Sequence, residues 1–347
     1  MSERTIFLAA LEKEDAAERA AFLDGACRGR PALRQRIEEL LYSHQEADTF
    51  LAVPVMEQVA VAEQSLAFLA PSHEPGALGR LDHYDVLKVV GRGGTGVVLK
   101  ARDTKRQCVV AIKVLAPHLA ASPGARQRFV RVAQAAAAVR EEHVVAIHAV
   151  NGDGPAPYLV MEYVRGITLA EQIRRGCPLE VKEVLRIGAQ MAKGLAAAHA
   201  RGLVHCDIKP ANVLLEGRAR RVKITDFGLA QVATDAVAAH GGFLAGTPLY
   251  MSPEQACGEP VDHRTDLFSL GGVLYTLCAG SPPFRADTTA AILKRVREDT
   301  PRPVHVISPD TPGWLCDLID ALLAKEPRDR PASARQVGDL LTGRLTQ

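Results

Sequence analysis

The stretch HCDIKPANVLL (205–215) places an aspartate at 207, a lysine two positions on at 209 and an asparagine at 212, directly ahead of an apolar run. Asp226-Phe227-Gly228 follows, and then GTPLYMSPEQA (246–256). Taken singly, each polar residue has an ordinary explanation. Asp207 could cap a turn, Asn212 could satisfy local backbone, and Asp226 could pair with a surface lysine. Their joint spacing calls for a joint reason, which the flanking sequence supplies.

Upstream, Gly91, Gly93 and Gly96 form G-x-G-x-x-G, a pattern that brings backbone N–H groups close to phosphate in several nucleotide folds. A dinucleotide-binding unit would continue into a helix, and a Walker A loop would need Gly-Lys-Ser/Thr. Here Val97, Val98 and Leu99 continue as a strand. Strand, glycines and strand suit a flap lying over a nucleotide. Next comes VAIK, ending in Lys113; a lysine on an otherwise apolar strand needs a partner for its charge or must snorkel to water.

The wider pattern gives two lobes. HYDVLKVVGRGGTGVVLKARD alternates around its glycine turn and predicts two antiparallel strands, with CVVAIKVL as a third. SPGARQRFVRVAQAAAAVR predicts an Ala-rich helix, and VVAIHAV and YLVMEYV further strands. From about residue 167 the pattern is mostly helical, with long segments at 180–201, 264–280 and 312–324. The first 70 residues also read as helical: Ala16, Ala20 and Leu23 share one face, as do Leu33, Ile37, Leu40 and Leu41 after Pro31. APSHEPGALG (70–79) marks a boundary. The expected division is a helical segment over 1–69, a linker over 70–82 and a main domain over 83–340, its lobes meeting near 164/165.

Composition sets the limits. The 347 residues are 47% hydrophobic and 24% charged, the ordinary globular range. No stretch is long and apolar enough to predict a membrane span; Leu267 to Gly280 is too short. The N-terminus lacks a secretory layout. Seven cysteines without a C-x-x-C pair argue against a disulfide framework or zinc site and fit a reducing cytosol, so a cytoplasmic location is expected. Residues 1–79 carry 7 basic and 13 acidic side chains, a net of −6; the rest carries +8. The basic clusters at Arg218–Lys223 and Lys294–Arg297 read as solvated faces, not as a nucleic-acid surface.

HCDIKPANVLL resembles the catalytic loop H-R-D-x-x-x-x-N of eukaryotic-type (Hanks-type) protein kinases, and the chain is most similar to the bacterial serine/threonine members. DFG, the segment ending in Ser252-Pro253-Glu254 (usually A-P-E), the glycine loop and VAIK fall in the family's order, across about residues 83–340. The resemblance implies an α+β, bilobal protein-kinase fold, with a small β-rich N-lobe and a larger helical C-lobe preceded by the short helical segment.

It also implies ATP, Mg2+ and protein substrates with serine or threonine acceptors. Asp207 accepts or orients the acceptor proton, and Lys209 touches the moving γ-phosphoryl group. Asn212 and Asp226 hold magnesium, which prefers hard oxygen ligands. Lys113 holds the α- and β-phosphates, under the backbone of Gly91–Gly96. Val98, Ala111 and Leu214 sandwich adenine. Glu162 and Val164 offer backbone hydrogen bonds to its edge, beside Met161 as gatekeeper. Thr247 matches a threonine that bonds the catalytic aspartate and lysine. Glu254 and Arg330 match a buried ion pair, and Asp266 matches an anchor of the catalytic loop.

Two positions depart from the pattern. Arg128-Phe129-Val130-Arg131-Val132 puts valine where the family has the glutamate that neutralises the strand lysine. Glu141 and Glu142 lie too far along the helix to substitute, so Lys113 is left with Asp226 and the nucleotide phosphates as expected partners, and reduced activity is expected. Cys206 stands where an arginine usually reads a phosphate on the activation segment, so phosphorylation of 229–249 is not expected to be the main switch. As a residue type, Cys206 is expected to be small and buried. The rival readings are a pseudokinase that binds ATP or partners without transfer, and a chain whose acidic N-terminal helices are the partner-binding part, docking on the basic domain.

Overall fold

A computed structural model describes residues 22–28, 33–34, 66–228 and 248–345. The chain divides into two units, Met1–Phe68 and Leu69–Gln347. Within the first, residues 22–26 are helical, Leu23 and Cys27 are buried, and Arg34 pairs with Asp24. The rest of the helical reading for 1–69, including Ala16, Ala20, Ile37, Leu40 and Leu41, lies outside the described residues.

The second unit opens with a six-stranded antiparallel sheet in the order β1-β2-β3-β4-β6-β5. The strands are β1 (Gly79–Leu81), β2 (Tyr84–Gly93), β3 (Gly96–Asp103), β4 (Cys108–Leu115), β5 (Ile147–Asn151) and β6 (Tyr158–Glu162). β1 lies inside the stretch read from sequence as linker. Its three residues are too short to announce a strand, but Gly79 pairs with Val86, and Ala70 bridges Arg80. Ser72 and Arg80 both bond Asp85, so this stretch is laid onto the sheet rather than left as a spacer.

Helices α1 (Pro117–Ala120) and α2 (Pro123–Ala137) follow β4. α2 starts where the sequence says it should: Ser122 accepts the Ala125 N–H and Pro123 fills a first-turn position with no N–H to lose. Its buried face, Ala125, Phe129 and Ala133, packs with Ala111, Leu115, Leu159 and Met161. Phe129 is 1% exposed, so truncating it to alanine is expected to cost about 3–5 kcal/mol.

A small sheet β7-β8-β9 (Gly166–Thr168, Val213–Glu216, Arg221–Ile224) begins the helical lobe. Its helices are α3 (Leu169–Arg175), α4 (Val181–His199), α5 (Pro253–Cys257), α6 (His263–Ala279), α7 (Thr289–Glu298), α8 (Val304–Ile307), α9 (Gly313–Leu322) and α10 (Ala334–Leu345). α6 is buried on nearly every face, which marks it as the central helix of this lobe. Val184, Ile187, Met191 and Leu195 of α4 join Leu267, Leu270 and Leu274 of α6 in one core. The two lobes meet where Val145 N–H donates to Ile224 O (2.9 Å) and Ile224 N–H donates to His143 O (2.8 Å). That seam leads straight from β9 into Asp226.

Candidate active site

The glycine loop is a tight hairpin, with Gly93 paired to Gly96. Gly96 has φ +138°, and a Cβ there would meet Val114 O at 1.9 Å, so no side chain fits between the hairpin and β4. Gly91 and Gly93 lie on β2, Gly91 at a register shift that follows Val89. Across the sheet Val98 stands opposite Lys113. Ala111 and Met161 are buried in the N-lobe core, and Val98, Val164 and Leu214 pack against the same cluster. The five apolar residues expected around adenine therefore belong to one packed cluster.

Lys113 is 4% exposed, and its Nζ lies 2.8 Å from Asp226 Oδ2. Val132 on α2 supplies no carboxylate; it is half-buried, and a Cβ on Gly228 would come within 2.8 Å of its Cγ1. Glu141 and Glu142 face Lys193 of α4 at 3.7 and 3.0 Å, so they serve a different cation, as their sequence distance implied.

The loop over residues 205–212 hangs from α6. Asp266, fully buried, accepts His205 N–H and Cys206 N–H, both at 2.8 Å, and also His199 Nε2–H at 2.8 Å. His205 donates from Nε2 to Thr225 O (2.8 Å) and accepts Asp207 N–H at Nδ1 (3.2 Å), which fixes its tautomer. Its ring also sits 4.5 Å from that of Phe227. Asn212 donates from Nδ2 to both Asp207 O (2.8 Å) and Asp207 Oδ2 (2.9 Å), while Lys209 Nζ lies 2.9 Å from the same Oδ2. Thr225 N–H donates to Asn212 O, joining the loop to the strand before Asp226.

Two non-glycine residues here have left-handed backbone, Cys206 (φ +63°) and Asp226 (φ +67°). Each such residue costs about 1–3 kcal/mol and persists because its surroundings hold it. Asp266 and Lys113 are part of that hold. Cys206 is half-buried, not the fully buried residue its type suggested.

The structural assignments drawn from sequence hold their places. Arg330 uses every guanidinium nitrogen: Nη1 and Nη2 bond Glu254 at 2.7 and 2.8 Å, and the remaining donors go to the carbonyls of Ala324, Arg264 and Lys325. Thr265 adds a bond to Glu254 Oε1. Burial alone would push the Glu254 carboxyl up, but the bonds from Arg330 and Thr265 outweigh it and hold it below its ordinary value. Thr247 lies outside the described residues.

Sequence reasoning missed Lys223 and the Glu162 side chain. Lys223 belongs in sequence to a basic cluster that reads as a solvated face, yet it is 8% exposed and its Nζ sits 2.6 Å from Glu162 Oε1. The same oxygen accepts Ala146 N–H (2.8 Å), and Glu162 N–H donates to Ala146 O (2.9 Å). The segment joining the lobes is thus tied to β9, three residues ahead of Asp226. The signal was available: a lysine flanked by Val222 and Ile224 on a strand is the pattern that singled out Lys113.

Residues 84–339 match the family model described as protein kinase domain. A probable serine/threonine-protein kinase of Clostridium acetobutylicum is 36% identical over 261 residues, 75% of this chain and 40% of that protein. The serine/threonine-protein kinase PknB of Mycolicibacterium smegmatis is 38% identical over 263 residues, 74% of this chain and 42% of that one. The crystal structure of the Mycobacterium tuberculosis PknI kinase domain (C20A, R136A variant) superposes with a TM-score of 0.64 at 29% identity, covering 79% of this chain and 99% of that domain. The aligned region spans about two fifths of the curated relatives' length.

Proposed function

The chain belongs to the protein kinase family, and from that premise we propose that it transfers the γ-phosphoryl group of ATP to serine or threonine hydroxyls of proteins. One observation carries the reading: two lysine–carboxylate pairs, Lys113–Asp226 and Lys209–Asp207, occupy one site, with Asn212 bonded to Asp207.

In-line phosphoryl transfer needs positioning and cations more than covalent chemistry from the protein. Asp207 accepts or aims the acceptor proton through its carboxylate. Lys209, 2.9 Å from that carboxylate, offers its ammonium to the group in transfer. Lys113 binds the α- and β-phosphates, and the hairpin at Gly91–Gly96 covers them. Val98, Ala111, Met161 and Leu214 hold the base, with Glu162 and Val164 at its edge.

The donors suit magnesium. Asn212 spends its Nδ2 on Asp207, which leaves its amide oxygen as the atom to offer, and Asp226 adds a carboxylate: both are hard oxygens. A bound magnesium ion supplies charge neutralisation for the phosphates.

The competing reading, a pseudokinase, draws on Val132 packed against Gly228 in place of a carboxylate facing Lys113. Transfer of labelled phosphate to a generic basic protein, with magnesium and ATP, separates the two. The catalytic reading expects a measurable rate that Asp207→Asn lowers by about a hundredfold or more. Equal rates for both proteins, or none above buffer for either, would overturn it.

A further inference from the structure

Cys206 is clamped from two sides through its backbone. Asp266 Oδ1 takes its N–H at 2.8 Å, and Gln255 Nε2 donates to its carbonyl at 2.8 Å. With φ at +63° this residue needs such a hold, and the next residue is Asp207. The orientation of the Gln255 amide is set by chemistry. Cys206 O can only accept, and Ser252 N–H, 3.1 Å from Gln255 Oε1, can only donate.

Gln255 therefore works in two directions. Toward its own helix it completes a capping box: Ser252 Oγ accepts Gln255 N–H, and Gln255 Oε1 accepts Ser252 N–H. Toward the catalytic loop it donates from Nε2, the end of the amide that the capping box does not use. The platform beneath it is firm, since its neighbour Glu254 is locked to Arg330 and Pro253 and Ala256 are buried. In sequence, α5 follows a stretch, 229–247, whose hydroxyl side chains are Thr234 and Thr247.

We propose that Gln255 is a positioning residue for Asp207: its side-chain amide ties α5 to the catalytic loop through the Cys206 carbonyl. With cysteine at 206, no guanidinium can tie the loop to a phosphate, and a neutral hydrogen bond joins the same two parts at all times. The tie is independent of phosphorylation. This rests on the reading of Asp207 as the residue that handles the acceptor hydroxyl.

The two roles of Gln255 can be separated by substitution. In Gln255→Glu the side chain still accepts Ser252 N–H, and glutamate is a favoured capping-box residue, but it has no N–H for Cys206 O and sets a carboxylate against that carbonyl. Gln255→Ala loses both roles. The measurement is the single-turnover rate of phosphate transfer in the full chain at 25 °C, with nucleotide affinity and Tm recorded for each variant. We expect Gln255→Glu to keep Tm and nucleotide Kd while the transfer rate falls about tenfold, and Gln255→Ala to lose both Tm and rate. A wild-type transfer rate in Gln255→Glu, or a loss appearing only as weaker nucleotide binding, overturns the proposal. Asp207→Asn run alongside keeps the two failures apart. If it transfers phosphate at the wild-type rate, the functional reading falls; if it is inactive while Gln255→Glu is fully active, only the positioning role falls.

Discussion

Val132 and Gly228 touch: a Cβ on Gly228 would stand 2.8 Å from Val132 Cγ1, so α2 rests on the Asp226-Phe227-Gly228 turn through an apolar contact. The contact holds the helix near the site without giving Lys113 a carboxylate, and Lys113 pairs with Asp226 instead. One side chain thus serves as both counter-ion and expected metal ligand. Val132→Glu is predicted to release Asp226 from the first duty and raise the transfer rate about fivefold. Steady-state rates at saturating ATP check it, and equal rates in the two proteins would show that the valine is no handicap.

The same pair makes Asp226 a stability element. Lys113 is 4% exposed, and removing its partner leaves a buried charge uncompensated. Asp226→Asn is predicted to lose about 3–5 kcal/mol in denaturant unfolding without any ligand. It should also lose the thermal shift given by magnesium and ATP, which in the wild type amounts to about 2.7 kcal/mol at a hundredfold excess over Kd. A variant of wild-type stability would mean that Lys113 finds its charge balance elsewhere.

The legible parts of this chain were those whose cause is local. Ser122-Pro123 announces α2, the β-branched run over Cys108–Leu115 announces β4, and the glycines announce the hairpin, where a Cβ on Gly96 would strike Val114 O. The candidate site residues were legible because their spacing along the chain mirrors their meeting in space. The hidden ones act over distance. Lys223 and Glu162 are 61 residues apart, and Gln255 and Cys206 are 49 apart. Nothing near Gln255 in sequence hints that its amide spans two elements. A three-residue strand such as β1 draws its existence from the neighbour it pairs with, so it read as linker.

Cys206 bears on regulation. Its carbonyl and N–H are both held by side chains of the C-lobe, and its thiol cannot read a phosphate as a guanidinium does. Phosphatase treatment is predicted to leave the transfer rate within about twofold of the untreated protein. Cys206→Arg is predicted to create a dependence on phosphate at Thr234. A strong loss of wild-type rate on dephosphorylation would contradict this account.

Glu254 and Arg330 give the protein a pH signature. The arginine donates two bonds to the carboxylate and three to carbonyls, and its side chain has no exposed surface. Glu254→Gln is predicted to cost about 3–5 kcal/mol at pH 7, because it strands a buried cation. The wild-type carboxyl titrates below the ordinary glutamate value of 4.5 in the folded protein, since the Arg330 and Thr265 bonds outweigh the upward push of burial. A group depressed on folding gives its full stabilisation above its unfolded value and loses it as pH falls through the folded value. The gap between wild type and Glu254→Gln should therefore be flat from pH 7 to about 5 and should close below 4.5. Asp85, bonded by Arg80 and Ser72, and Glu183, bonded by Arg186, are also depressed, so total stability falls with acid in both proteins. Those losses are common to the pair and cancel in the difference, so a gap that stayed constant down to pH 3 would mean that the Glu254 charge is not what Arg330 depends on.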